Sequence, residues 1–141
     1  MIRVLIVEDN KLVRDSIRLL LKRLQDLEVV GEARDGQEAI TLTDQLAPDV
    51  VLMDVQMPVL DGLEATARIH SQHEDVRILM LTLYSERVLL RQALQNGAIG
   101  FVSKRDSFQE LGPAIHSAFE GKKYISSSVG PIADLPEQAG H

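Results

Sequence analysis

Three observations predict an α/β fold in which a parallel sheet is covered by helices on both faces. Short apolar runs rich in β-branched residues alternate five times with segments of helical period. The strongest of those runs, such as Val50–Met53, show no polar alternation, as expected of strands buried on both faces. At three of the switches from period 2 to period 3.6, an Asp or Ser stands three residues before a Glu: Asp35 and Glu38, Asp61 and Glu64, Ser107 and Glu110. That is the spacing of a helix-starting capping box.

The elements follow in order. Ile2–Val7 is a strand, and Val13, Ile17, Leu20, Leu21 and Leu24 recur at helical spacing after it, with Asp9 or Asn10 as the cap. Residues 28–33 form a weaker strand, followed by a helix marked by Ala39, Ile40, Thr43, Leu46 and Ala47. Residues 49–54 form the third strand, and Leu63, Ala67 and Ile69 mark the next helix. Residues 77–82 form the fourth strand, followed by a helix over about 85–96 that ends at Asn96-Gly97, a good C-cap. Residues 99–103 form the fifth strand, and Phe108, Leu111, Ile115, Ala118 and Phe119 line a last helix ending at Gly121. After Tyr124 periodicity stops and Ser, Pro and Gly dominate. The chain therefore divides into a folded domain, 1–124, and a linker or disordered tail, 125–141, of which residues 126–141 are expected to be mobile.

At 141 residues and 45% hydrophobic, the chain suits one compact core. The net charge is −6 and no basic block occurs, which argues against nucleic-acid binding by this chain. No apolar run reaches the roughly 20 residues needed to cross a bilayer. The N-terminus opens directly as a strand, unlike a secretion signal. There is no cysteine, hence neither a disulfide framework nor a thiolate site. A cytoplasmic location is expected.

In a parallel sheet all strands end at one edge, where ligands bind. The first strand there ends in Glu8-Asp9, the third in Asp54, the fourth in Thr82 and the fifth in Ser103-Lys104. Carboxylates gathered in one pocket repel, by about 4 kcal/mol for a pair about 4 Å apart at an effective dielectric near 20. A divalent cation relieves that repulsion, and an all-oxygen donor set suits Mg²⁺ or Mn²⁺. An aspartate beside such a cation can attack phosphorus, with a lysine and a hydroxyl holding the phosphoryl oxygens. His70 and His73, spaced i, i+3, make a weaker metal candidate, and Met53, Met57 and Met80 read as packing.

The acid pair in VEDN, the stretch LMDVQMPVLDG, Leu81-Thr82 and Ser103-Lys104 together resemble a response regulator receiver domain over about residues 2–121. GKKYIS, LTLYSE and KRDS resemble the NarL/FixJ group. The resemblance implies a flavodoxin-like (βα)5 fold with strand order 2-1-3-4-5. It makes Asp54 the phospho-acceptor from a sensor histidine kinase. Glu8, Asp9, Asp54 and the backbone carbonyl of Gln56 become the Mg²⁺ ligands, and Thr82 and Lys104 the phosphoryl contacts. It makes Thr82 and Phe101 a switch pair, Phe101 turning inward as Thr82 moves toward the phosphoryl group. It implies a phospho-accepting switch, not an enzyme acting on outside substrates. Its output is transcription through a DNA-binding domain that is absent from this chain, and its homodimer would form through the last helix or the face of the fourth helix, fifth strand and last helix. Two departures stand out: Arg105 follows Lys104 where many relatives have proline with a cis peptide, and Leu83 replaces a small residue after Thr82.

Two alternatives compete. A stand-alone receiver would act by protein–protein contact. A phosphatase with an aspartate nucleophile, of the haloacid-dehalogenase type, needs D-x-D at its first strand, whereas Asp9 is followed by Asn10-Lys11.

Overall fold

In the computed structural model, residues 1–55, 57, 59–83 and 87–127 are described. Their elements are β1 (Ile2–Val7), α1 (Lys11–Lys22), β2 (Leu27–Ala33), α2 (Gly36–Leu46), β3 (Val50–Asp54), α3 (Gly62–Gln72), β4 (Arg77–Thr82), α4 (Arg87–Gln95), β5 (Gly100–Ser103), α5 (Ser107–Phe119) and β6 (Tyr124–Ile125). A single 3₁₀ turn, Lys104–Asp106, joins β5 to α5. The sheet is parallel throughout in the order β2-β1-β3-β4-β5-β6. The expected order 2-1-3-4-5 holds, with one short strand added at the end.

Alternate residues of the buried strands face opposite sides, so the sheet splits the core in two. Leu5, Val7, Val51, Met53, Ile78, Met80 and Phe101 pack with Ala39, Ala65, Ile69, Leu90 and Ala93 of α2, α3 and α4. Ile6, Val50, Leu52, Leu79, Leu81 and Val102 pack with Ile17, Leu21, Leu111 and Ile115 of α1 and α5. Met53 and Met80 are core residues and Met57 packs against them, as read from the sequence. Gly112 gives α5 room beside the turn that follows α1, since a Cβ there would sit 3.1 Å from a methyl of Leu24.

The caps follow the sequence in part. Asn10, not Asp9, caps α1, its Oδ1 accepting from the N–H groups of Leu12 and Val13 at 2.9 and 3.2 Å. Asp35 and Asp61 accept from the N–H groups of Glu38 and Glu64. The third expected box does not form. Ser107 is already the first residue of α5, and its hydroxyl donates to the carbonyl of Lys104 at 2.9 Å. Glu110 turns away to accept from the Tyr124 hydroxyl at 2.7 Å. The preceding 3₁₀ turn enters the helix directly, so the local motif loses to a tertiary contact.

The predicted tail boundary moves for the same reason. Ile125 pairs with Phe101, and the Ser126 N–H donates to the Phe101 carbonyl at 3.0 Å. Ser126 is buried, and its hydroxyl is hydrogen-bonded to Asp106. Residues 125–127 therefore belong to the packed structure, and the rest of the expected tail, 128–141, lies outside the described residues.

Gly62 fixes the β3–α3 connection. A Cβ there would lie 1.9 Å from the carbonyl oxygen of Asp54, and its N–H donates to the Val55 carbonyl at 2.8 Å. Backbone on both sides leaves no cheap relaxation. Gly62→Ala is expected to lower stability by about 3 kcal/mol, the upper end of ordinary overpacking costs, and thermal unfolding measures it.

Candidate functional site

Each strand of the sheet centre delivers one group to the shared edge. Glu8 follows β1, where its N–H extends the ladder to the Ala33 carbonyl at 3.0 Å. Its side chain is 2% exposed and is held by two donors: Lys104 Nζ at 2.7 Å and the Asn10 N–H at 3.1 Å. Asp54 closes β3, almost buried, with Lys104 Nζ 3.5 Å away. Asp9 is exposed beside them, and one oxygen each from Glu8, Asp9 and Asp54 lie within 4.8 Å of one another. Thr82 closes β4, buried and in register with Ser103, one step beyond the Leu81 that pairs with Asp54.

The electrostatics follow from this crowding. Burial, then the nearby Glu8 charge, push the Asp54 carboxyl up to about 7, against the pull of Lys104. Burial acts on Glu8 in the same sense, but the hydrogen bonds from Lys104 and Asn10 outweigh it, and Glu8 stays below its ordinary range. Asp9 is raised by burial and by Glu8. Lys104 is raised: burial opposes its charge, and Glu8 and Asp54 together overcome it. One lysine thus faces three acids, with Glu8 and Asp54 both nearly excluded from water.

The donor set is hard and all-oxygen, which fits a small divalent cation of the Mg²⁺ class. Glu8, Asp9 and Asp54 would hold it. The expected fourth ligand, the carbonyl of Gln56, lies outside the described residues. Titration with Mg²⁺ is expected to shift the amide NMR signals of residues 8–10, 54–57 and 82–84. Shifts confined to His70 and His73 would contradict the assignment.

The histidine pair takes no part in such a group among the described residues. The ring of His70 fills the space where a side chain on Gly97 would stand, its Cγ 2.3 Å from the ideal Cβ position. His73 Nε2 pairs with Asp44 Oδ1 at 2.5 Å. Both histidines are structural.

Phe101 lies at the inner end of its expected turn. It is fully buried at 0% exposure, with Ile125 of β6 packed on the same cluster. Phenylalanine has no hydroxyl to favour the surface, and β6 closes the edge over it. The Lys104–Arg105 peptide is trans.

Sequence reasoning missed the supports of this site. Arg14 Nη1 donates to the Glu8 carbonyl at 2.8 Å while its Nε pairs with Glu32 at 3.3 Å, which fixes the start of α1 against β1 and β2. Ser103 Oγ accepts from the Arg105 N–H at 3.3 Å and shapes the turn that carries Lys104. Neither lies in a run with a local signature.

Residues 4–116 match the family model described as the response regulator receiver domain. The response regulator UvrY of Escherichia coli strain K12 is 44% identical over 129 residues, covering 92% of this chain and 59% of UvrY. The chain thus spans about three-fifths of that relative's length. Among solved structures, a LuxR-family two-component response regulator from Aurantimonas sp. SI85-9A1 superposes with a TM-score of 0.89 at 34% identity, covering 94% of this chain and 95% of that one. The signal receiver domain of NarL from Mycobacterium tuberculosis gives a TM-score of 0.82, also at 34% identity, covering 86% and 98%.

Proposed function

The chain belongs to the response regulator receiver family of two-component signalling, and from that premise we propose that Asp54 accepts a phosphoryl group from a phosphohistidine on a sensor histidine kinase. The observation that carries this reading is the position of Asp54: a nearly buried carboxylate at the end of the central strand, with Lys104 Nζ at 3.5 Å and two further acids within 4.8 Å.

The transfer is a displacement at phosphorus. An Asp54 carboxylate oxygen forms the new P–O bond as the P–N bond to the kinase imidazole breaks. The bonding pair stays on that nitrogen, which takes up a proton. Asp54 must be ionised to attack, so its upward shift to about 7 works against the reaction in the bare site. When bound, Mg²⁺ supplies the positive charge that lowers this cost and screens the phosphoryl oxygens. Lys104 bonds Glu8 in the resting site and is the cation placed to bond a phosphoryl oxygen on Asp54, with Thr82 offering a hydroxyl nearby. Gly62 and the Val55 carbonyl hold the Asp54 backbone rigid during the step.

The output proposed for this switch is transcriptional control through a DNA-binding domain, a reading supported by a LuxR-family response regulator from Staphylococcus aureus that is itself described as DNA-binding. Self-association through α5, or through the face of α4, β5 and α5, fits the exposed Phe119 and Val88 on those helices. No helix among the described residues is long and apolar enough to cross a membrane.

Incubation with acetyl phosphate and Mg²⁺ is expected to add one phosphoryl group to the chain, seen as an acid-labile mass gain. Asp54→Asn is expected to abolish it. A variant that is still labelled would reject Asp54 as the acceptor.

A further inference from the structure

The turn that carries Lys104 also clamps the chain that leaves the domain. Lys104 opens the 3₁₀ turn and Asp106 closes it. The Asp106 carboxylate makes no capping bond to α5 and bonds the buried hydroxyl of Ser126 instead. One helical turn further, Glu110 accepts from the Tyr124 hydroxyl at 2.7 Å and from the N–H of Ser127 at 3.2 Å, and it also bonds the Ser127 hydroxyl. Two carboxylates of one short stretch thus hold four donors from residues 124–127.

The receiving edge is shaped for this strand. A Cβ at Gly100 would lie 2.1 Å from the Tyr124 carbonyl, so only glycine there lets β6 come alongside. Ile125 then packs with Phe101, and the Ser126 N–H completes the ladder to the Phe101 carbonyl at 3.0 Å. Because β6 runs parallel to β5, the chain leaves the domain at the same sheet edge as Asp54 and Lys104.

Resting on the phosphoryl-acceptor reading above, we infer that β6 is a detachable edge strand whose hold on β5 is coupled to the occupancy of Asp54. Two residues of ladder are too few to hold a strand alone, so the clamp decides its attachment. In the resting site Lys104 Nζ sits at 2.7 Å from Glu8 and 3.5 Å from Asp54. A phosphoryl group on Asp54 carries nearly two negative charges in place of the carboxylate's one and draws the ammonium over. Asp106 lies two residues beyond Lys104 in one turn, sealed by the Ser107 hydroxyl on the Lys104 carbonyl. The turn shifts as a unit, while Ser126 is held by its ladder to β5. The Asp106–Ser126 bond therefore loosens, and residues 124–127 pass the site's state to whatever the chain carries next. Phe101, already inside, follows β6 and does not lead it.

Hydrogen exchange on the full chain tests this, with beryllofluoride plus Mg²⁺ as the phosphoryl mimic. Protection of the Ser126 amide is expected to fall about tenfold on adding the mimic, within the usual range of coupling between two sites. Linkage is reciprocal, so Tyr124→Phe and Ser126→Ala, which weaken the clamp from two sides, are expected to bind the mimic more tightly than the parent chain. If the amides of residues 8–10 and 54–55 respond while Ser126 protection and mimic affinity in both variants stay unchanged, the coupling is wrong and the acceptor reading stands. If nothing at the site responds and Asp54 takes no phosphoryl group, the acceptor reading falls and the coupling falls with it.

Discussion

Replacing Lys104 with alanine is expected to destabilise the metal-free protein by about 3 kcal/mol at pH 8, a fall of roughly 10 °C in Tm. The loss comes less from the missing attraction than from what stays behind. Glu8 is 2% exposed and keeps the hydrogen bond from the Asn10 N–H, with Asp54 and Asp9 still within 4.8 Å. Removing one partner of a buried pair leaves a charge that water cannot reach, and such losses run to about 3–5 kcal/mol. Two conditions should restore much of the loss: millimolar Mg²⁺, which replaces the missing positive charge, and pH near 4, where Asp54 is already protonated and the other acids begin to follow. A loss that is the same with and without Mg²⁺ and at both pH values would mean that Lys104 matters through packing of its stem and not through charge.

The opposite sign is expected at Asp54. Its folded pKa of about 7 stands well above the ordinary 3.8, so the folded chain keeps a proton there that the unfolded chain releases. Below pH 4 both states are protonated and the site is neutral toward folding. From pH 4 to 7 the unfolded state is favoured by its ionisation, so this group's contribution to stability falls as pH rises, and above 7 the whole penalty is in place. A shift of that size has a ceiling near 4 kcal/mol, and relaxation of Glu8 and Lys104 brings the expected penalty to about 2 kcal/mol. Asp54→Asn, a neutral near-isostere, should therefore raise Tm by several degrees at pH 8 and leave it unchanged near pH 4. Mg²⁺ should stabilise the parent chain more than the variant. Equal Tm for the two chains at pH 8 would show that Asp54 is not held against its own charge.

Asp54, Glu8 and Lys104 were legible because each follows or ends an apolar run, and the alternation of strands with helices makes the sheet parallel and puts those ends on one edge. The helices were legible because an apolar stripe at helical spacing has to be buried. What the sequence hid depends on partners far along the chain. Glu110, three residues after Ser107, reads locally as a capping box, yet it spends its oxygens on Tyr124 and Ser127. Tyr124-Ile125 is too short to show a period, and its strand exists because Gly100 leaves room and Asp106 and Glu110 hold it from outside. His73 finds its partner 29 residues away at Asp44, a pairing that no spacing rule encodes. Phe101 sits on its predicted strand, but it packs with Ile125 of β6, which falls just past the predicted end of the folded domain at Tyr124.

The two rims of the sheet bear on solubility. An open parallel sheet offers a row of backbone donors and acceptors at each flank, and a regular flank invites another chain to add on and propagate an aggregate. At one flank β2 pairs Val4 with Val29 and then Leu5 with Gly31, leaving Val30 as an inserted residue that breaks the regular spacing. Glu28 and Glu32 add negative charge along the same strand. At the other flank β6 is only two residues long, too short to template a neighbour. Neither rim suits end-to-end stacking, so copies of this domain crowded in a cell have little means of growing a continuous sheet.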